Sequence, residues 1–426
     1  MILTLEPLRA EEGDCLLLHW GTAAAPKLAV IDGGPGQVYE NSLLPRLQDI
    51  RGNHGKDRLT IDLVMVSHID NDHIVGIKKL FRALKSEIDK NTPENKRPFK
   101  VERLWHNTFN DILGDGIDGY YKSFTASFTA SVGGAPNPQV VEKIAEEFKD
   151  KGEEAEEARH NAHDIGLILA GHGEGRELRD SHNFLFKKNE IAALNHPFKR
   201  NGKPTLITAE MTPEPAKVAG LQFTVAGPLE AQIEALQKAF DKYIKKEGLT
   251  AEAVLAAYTD KSVPNLSSIV CLIESEGKKI LLTGDARGDY VIEGLKKAKI
   301  LKDKSLKIDV LKIPHHGSER NLDPGFFETL VADTYVFSAD GNYGNPDRAP
   351  LDWLIQARGK AAKYDIVLTY PVPEIDKIRK AKSKQPWDQA KHSLAALFEQ
   401  RKAEGYGFNL LAGQGTKIEL GDKISW

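Results

Sequence analysis

Two cysteines in 426 residues are too few for a disulfide scaffold. Cys15 and Cys271 both sit in apolar, strand-like runs outside any Cys-x-x-Cys spacing, so buried free thiols are expected, not zinc ligands. No apolar stretch approaches the roughly 20 residues that span a bilayer, so no membrane helix is expected. The opening Met1-Ile2-Leu3-Thr4-Leu5-Glu6 lacks a basic segment and a cleavage site, which together with the cysteine usage predicts a cytoplasmic protein. Charge of one sign is also scarce. A net charge of −3 provides no global attraction to nucleic acid, so any such binding must be local. Low-complexity linkers and internal repeats are missing too. The 41% hydrophobic and 28% charged residues suffice for a large core in one elaborated domain or two.

Against that background, His68-Ile69-Asp70-Asn71-Asp72-His73 packs four metal-capable side chains into six positions directly after the apolar run Ile61 to Val66. Imidazoles and carboxylates crowded at a strand end are costly to bury without a counter-ion, and divalent cations satisfy them together. Three further apolar runs end the same way. Leu28 to Ile31 leads into Asp32-Gly33-Gly34, Ile280 to Leu282 into Thr283-Gly284-Asp285, and Ile308 to Ile313 into Pro314-His315-His316-Gly317-Ser318. Strand ends delivering acids and histidines in succession are how sheet enzymes build sites.

With those motifs in this order, the chain resembles the metallo-β-lactamase superfamily of metal-dependent hydrolases. Within it, the chain is most similar to the soluble hydrolase domain of bacterial competence proteins, the channel proteins that take up DNA. Gly13-Asp14-Cys15, Asn265 with Ser267-Ser268, and Gly341-Asn342-Tyr343-Gly344-Asn345-Pro346 add to the likeness, which covers residues 1 to about 80 and about 220 to 350. The resemblance implies an α/β fold, a four-layer αββα sandwich, with the site at one edge of two sheets. It implies two divalent ions, zinc or manganese, with magnesium also accommodated. His68 and Asp70 would face the first, Asp72 and His73 the second, with Asp285 bridging. His316 would close the second site while His315 contacts the scissile group or donates a proton, an assignment of the pair that stays open. Asp32 would orient the metal-binding loop, and Asp72 or Asp285 would accept a hydrogen bond from the nucleophile.

Three departures bear on this. Asp70 stands where relatives commonly carry histidine, Asn265 and Ser267 occupy the region where another histidine is usual, and Asn345 replaces the histidine of Gly-His-Pro. Oxygen ligands shift preference from zinc toward manganese or magnesium. Asn265, Ser267, Ser318, Asn345 and His106 are the remaining contacts to consider at the first site or the substrate. A phosphodiester in a nucleic acid or nucleotide is the expected substrate; hydrolysis of a carboxylic ester, lactone or lactam uses the same machinery.

Domain organisation reads as 1–84, the first half of the hydrolase; 85–215, a mainly helical insertion; and 216–426, the second half. The insertion would cap the site or bind a protein partner, and an interaction platform with a silent hydrolase core is a third reading. Its acidic run at Glu153, Glu154, Glu156 and Glu157 suits a protein partner better than nucleic acid. Gly114-Asp115-Gly116-Ile117-Asp118-Gly119 follows no strand and carries two acids, so it is not a nucleotide loop. His160, His163 and His172 lack acids at ligand spacing, and His182, like His106, reads as structural. Basic runs at Lys296 to Lys307 and Lys377 to Lys384 read as solvated helix faces that could support a polyanion. Phe408 to Leu411 and Thr416 to Leu420 read as a hairpin around Gly413-Gln414-Gly415.

Overall fold

The computed structural model describes residues 1–55, 57–107, 142, 145–146, 149, 175–200, 203–211, 214–234, 267–383, 385–413, 415–424 and 426. Asn265, the pattern at 114–119, the acidic run at 153–157, His160, His163 and His172 lie outside these residues.

The chain is mixed α/β. It opens with β1 (Ile2–Pro7), β2 (Leu16–Thr22) and β3 (Ala25–Ile31), an antiparallel meander. Then come α1 (Leu44–Asn53), β4 (Leu63–Val66), α2 (Asn71–Asp89) and β5 (Leu104–His106), with β4 parallel to both β3 and β5. The second half contributes β6 (Ala216–Val218), β7 (Leu221–Gly227), β8 (Val270–Ser275), β9 (Lys278–Leu282), α3 (Gly288–Lys297) and β10 (Leu306–Lys312). It continues through α4 (Pro324–Thr329), β11 (Leu330–Phe337), α5 (Arg348–Arg358), β12 (Tyr364–Leu368), α6 (Val372–Lys382), α7 (Leu394–Ala403), β13 (Phe408–Ala412) and β14 (Ile418–Glu419). Strands β6 to β13 form one sheet in sequence order, antiparallel as far as β9 and parallel beyond it. The other sheet runs β14-β1-β2-β3-β4-β5.

The period-two alternation of strand side chains sorts the core into three clusters. Leu16, Leu18, Leu63 and Met65 join Val225, Cys271, Ile280 and Leu282 of the larger sheet in one cluster. Leu17, Val64 and Val66, on the opposite face, join Leu47 and Ile50 of α1 and Ile74, Ile77 and Phe81 of α2. Leu281, Leu311 and Phe337 pack against Val291 and Leu295 of α3 and Leu351 and Leu354 of α5. Burial on both faces explains why these strands read as unbroken apolar runs. Both cysteines are buried and free. Among the described residues no helix is long and apolar enough to cross a membrane.

One expectation is corrected. The C-terminal segments do not form a hairpin: β13 extends the large sheet parallel to β12, and β14 crosses to the other sheet to pair antiparallel with β1. Period and turn residues report that two strands exist, but which edge each one joins is a tertiary choice. Within the segment read as a mainly helical insertion, Phe99–Val101 pairs in parallel with Leu59–Ile61 as a separate two-stranded sheet, and Leu104–His106 is the edge strand β5 of the six-stranded sheet. β5 pairs with β4, and Trp105 belongs to the inter-sheet core.

Candidate metal centre

Backbone contacts without room for side chains bring the ligand-bearing loops together. Gly33 N–H donates to the His73 carbonyl at 2.7 Å and Asp14 N–H to the Asp72 carbonyl at 3.2 Å, so the start of α2 is clamped between the β1–β2 loop and the end of β3. A Cβ on Gly13 would lie 1.9 Å from the Asp72 oxygen. Asp70 precedes α2 in extended conformation and Asp72 sits in its first turn, where the helix N-terminus favours a carboxylate. His315 and His316 both adopt left-handed backbone, φ 46° and 55°, a strain that active sites commonly store. Hydrogen bonds from His315 N–H to the Gly284 carbonyl and from Ser318 N–H to the His315 carbonyl brace that turn.

The histidine tautomers follow from their partners. Ser67 donates its N–H and Oγ–H to the two oxygens of Asp32, both at 2.7 Å. The hydroxyl, its proton so engaged, accepts from His68 Nδ1 at 3.0 Å. His73 Nδ1 donates to Asp32 Oδ2 at 3.0 Å, and His316 Nδ1 to the Ser338 carbonyl at 2.8 Å. All three rings therefore carry their lone pair on Nε2. His73 Nε2 and His316 Nε2 are nevertheless only 3.3 Å apart. Asp72 Oδ2 lies 3.5 and 3.3 Å from those two nitrogens, and Asp285 Oδ1 and Oδ2 lie 3.4 and 3.2 Å from them. Bonds of about 2.0–2.1 Å to one tetrahedral cation put ligands about 3.3 Å apart, so these separations fit a shared ion.

A second position adjoins the first. His68 Nε2 is 3.5 Å from Asp70 Oδ2 and 3.8 Å from Asp285 Oδ2, which places Asp285 between the two. Among the described residues His68 Nε2, Asp70 Oδ1 and Asp285 Oδ1 are buried without hydrogen-bond partners, which suits a donor set for a cation. His315 is the most open of these histidines, its side chain 28% exposed and its Nε2 3.9 Å from Asp285 Oδ2. Burial pulls its pKa below the usual value despite Asp285, leaving a neutral ring.

Grouped by distance alone, Asp14, His73, Asp285 and His316 can hold a metal ion, as can His68, Asp72 and His73. Asp14, however, lies 3.4 Å from His316 Nδ1 and 4.0 Å from His73 Nδ1, behind the rings, and its Oδ2 is taken by the buried Lys312 ammonium. An ion held by these groups would therefore sit on the Nε2 side, with Asp14 backing the rings. Motif reading does not single out Lys312, and it takes Asp14 only within Gly13-Asp14-Cys15, without a place at the cluster. An acid opening one apolar strand and a lysine closing another were the available signals.

The other expected contacts fall around this cluster. Ser267 is buried beside Ser268, whose Oγ accepts from Asp285 N–H at 3.3 Å. Ser318 is buried in the histidine turn. Asn345 sits half-buried in the 341–346 turn, which abuts Gly317 through Pro346 and is pinned by Arg379 donating to the Gly344 carbonyl at 2.9 Å. That bond diverts one member of the 377–384 basic run from solvent. His106 is fully buried at the end of β5, its pKa pushed down to about 3 by burial, and a Cβ on Gly175 would lie 3.7 Å from its Nε2. Asn195 holds its backbone at both N–H and carbonyl, and no ion pair joins it to the cluster carboxylates among the described residues. His182 bonds the Ala192 carbonyl at 3.0 Å.

Without a cation, protons must serve. Burial disfavours charged His73 and His316, yet Asp285, with Asp72 or Asp14, holds both well above the usual 6.5. Groups with raised folded pKa values stabilise fully below about pH 6.5 and lose that contribution as pH rises through the folded values. Chelator-treated protein should therefore melt at progressively lower temperature from pH 6.5 upward, and divalent cations should flatten the profile. A melting temperature in chelator that is constant across this range would contradict the assignment.

No protein-family model matches the chain, and no curated protein matches it in sequence.

Proposed function

We propose that the protein is a metal-dependent hydrolase acting on a phosphodiester, in nucleic acid or a nucleotide, at a two-cation site. The observation that carries this reading is the convergence of the His68, His73 and His316 Nε2 lone pairs on the Asp72, Asp285 and Asp70 carboxylates. Charge supports the number of ions. Asp14, Asp32, Asp70, Asp72 and Asp285 are all buried, and among the described residues the one ammonium buried within this cluster is that of Lys312. With neutral rings, five negative charges less one leave −4, which two divalent cations balance. Asp70 in place of an imidazole favours manganese or magnesium beside zinc. The order of the three apolar clusters, and cluster residues issuing from the C-terminal ends of β3, β4, β9 and β10, support a four-layer αββα metallo-β-lactamase sandwich.

When bound, the cations would supply Lewis acidity and bring the pKa of a water from about 15.7 toward about 7. The protein's own groups do the rest. Asp32 and Ser67 fix the ring planes and tautomers of His68 and His73, support of the kind that holds ligands in register. Asp72 and Asp285 present acceptor oxygens for the nucleophile's proton, and neutral His315, on the open side, can hydrogen-bond a phosphoryl oxygen.

Purified protein loaded with manganese or zinc should cleave at least one of single-stranded DNA, RNA or a cyclic nucleotide. Turnover of a lactone or carboxylic ester, with none of these cleaved, would transfer the site to acyl chemistry. Inertness toward the whole panel with a metal-filled site would overturn the proposal.

A further inference from the structure

Burying an ammonium among carboxylates is costly to arrange, and apolar replacements of such pairs are often tolerated. Lys312 nevertheless ends β10 with its side chain 1% exposed, between the apolar core residues Leu311 and Ile313. Its Nζ reaches three oxygens on two segments. It makes a close ion pair with Asp14 Oδ2, stands 3.4 Å from the Gly284 carbonyl and lies 3.9 Å from Asp285 Oδ1. Asp14 backs His316 and His73 from the Nδ1 side. The Gly284 carbonyl also accepts from His315 N–H, and Gly284 immediately precedes Asp285. One ammonium thus ties the β1–β2 loop, the end of β9 and the histidine turn.

We propose that Lys312 is a positioning residue that acts as the permanent cation of the site. It holds the carboxylate cage together before divalent ions load and moderates how strongly the cage then draws them. This rests on the metal reading above. The charge count makes it quantitative. Wild-type protein has five cluster carboxylates and Lys312, net −4; Lys312→Met leaves −5, and Lys312→Met with Asp14→Asn returns to −4.

The test compares melting temperatures in chelator and in saturating manganese for the wild type, Lys312→Met and the double variant. In chelator, Lys312→Met should melt lower by on the order of 5–10 °C. Manganese should raise its melting temperature by more than it raises the wild type's, since stabilisation by a ligand grows with its affinity for the folded state. The double variant should bring both quantities back toward wild type. Equal losses for Lys312→Met with and without metal would reduce the pair to an ordinary structural ion pair and overturn the proposal. No manganese-induced rise in any of the three proteins would instead remove the metal reading itself, and this one with it. Should Lys312→Met not fold in either condition, Asp14→Asn alone, net −3, should show a smaller metal-induced rise than wild type. An undiminished rise there would overturn the proposal.

Discussion

Replacing Asp285 with alanine is expected to cost on the order of 10³-fold in hydrolysis and to empty at least one cation position. Its two oxygens face both positions: Oδ1 lies 3.4 Å from His73 Nε2, while Oδ2 lies 3.2 Å from His316 Nε2 and 3.8 Å from His68 Nε2. No other carboxylate of the cluster approaches all three rings in this way among the described residues. On the proposed two-cation reading, losing it would remove a ligand from each ion and several kcal/mol of transition-state stabilisation, about 10³-fold by rate theory. Metal content by elemental analysis is the direct readout, with circular dichroism to confirm that the fold survives. Asp285→Asn should behave similarly, because an amide matches the shape and lacks the charge. Retention of two equivalents of metal by Asp285→Ala would rule out the bridging role.

Adding one methyl group at Gly76 should be nearly as damaging, by another route. A Cβ there would sit 2.0 Å from the Gly33 carbonyl oxygen, and one on Gly33 would sit 2.4 Å from the Ile77 nitrogen. Both obstacles are backbone, so relief requires α2 to move away from the end of β3 by about 1 Å or more, and overpacking of this severity costs about 3 kcal/mol. Asp72 and His73 ride on the first turn of α2. Displacing catalytic groups by about 1 Å can cost about 10²-fold in rate, so Gly76→Ala should lose stability and activity together. Gly52→Ala is the control: it lies in α1 with nothing within 4 Å of the added carbon, and should be neutral or stabilising by up to about 1 kcal/mol. A melting temperature for Gly76→Ala equal to wild type would show that the helix can settle elsewhere without harm.

The two variants probe different causes of one arrangement. Asp285 acts through charge and bond geometry, whereas Gly76 acts only through the space it leaves empty. A site assembled from α2, β9 and β10 needs both, because each ligand's precision is inherited from the backbone that carries it.

Read one residue at a time, the chain already specified the buried strands and the acids and histidines at their ends. A strand covered on both faces must be apolar throughout, so its polar terminus stands out, and metal coordination draws on a short menu of side chains. Folding decided what pattern cannot encode. Asp14 and Lys312 are far apart in sequence and look like ordinary strand-end charges until the sheets bring them into contact. The edge that β14 joins, and the pairing of β5 with β4, depend on which neighbours offer unpaired backbone in three dimensions. Local side-chain chemistry is written along the chain, but pairing between distant segments is settled only when the whole core closes, because each such contact is favourable solely in the presence of the others.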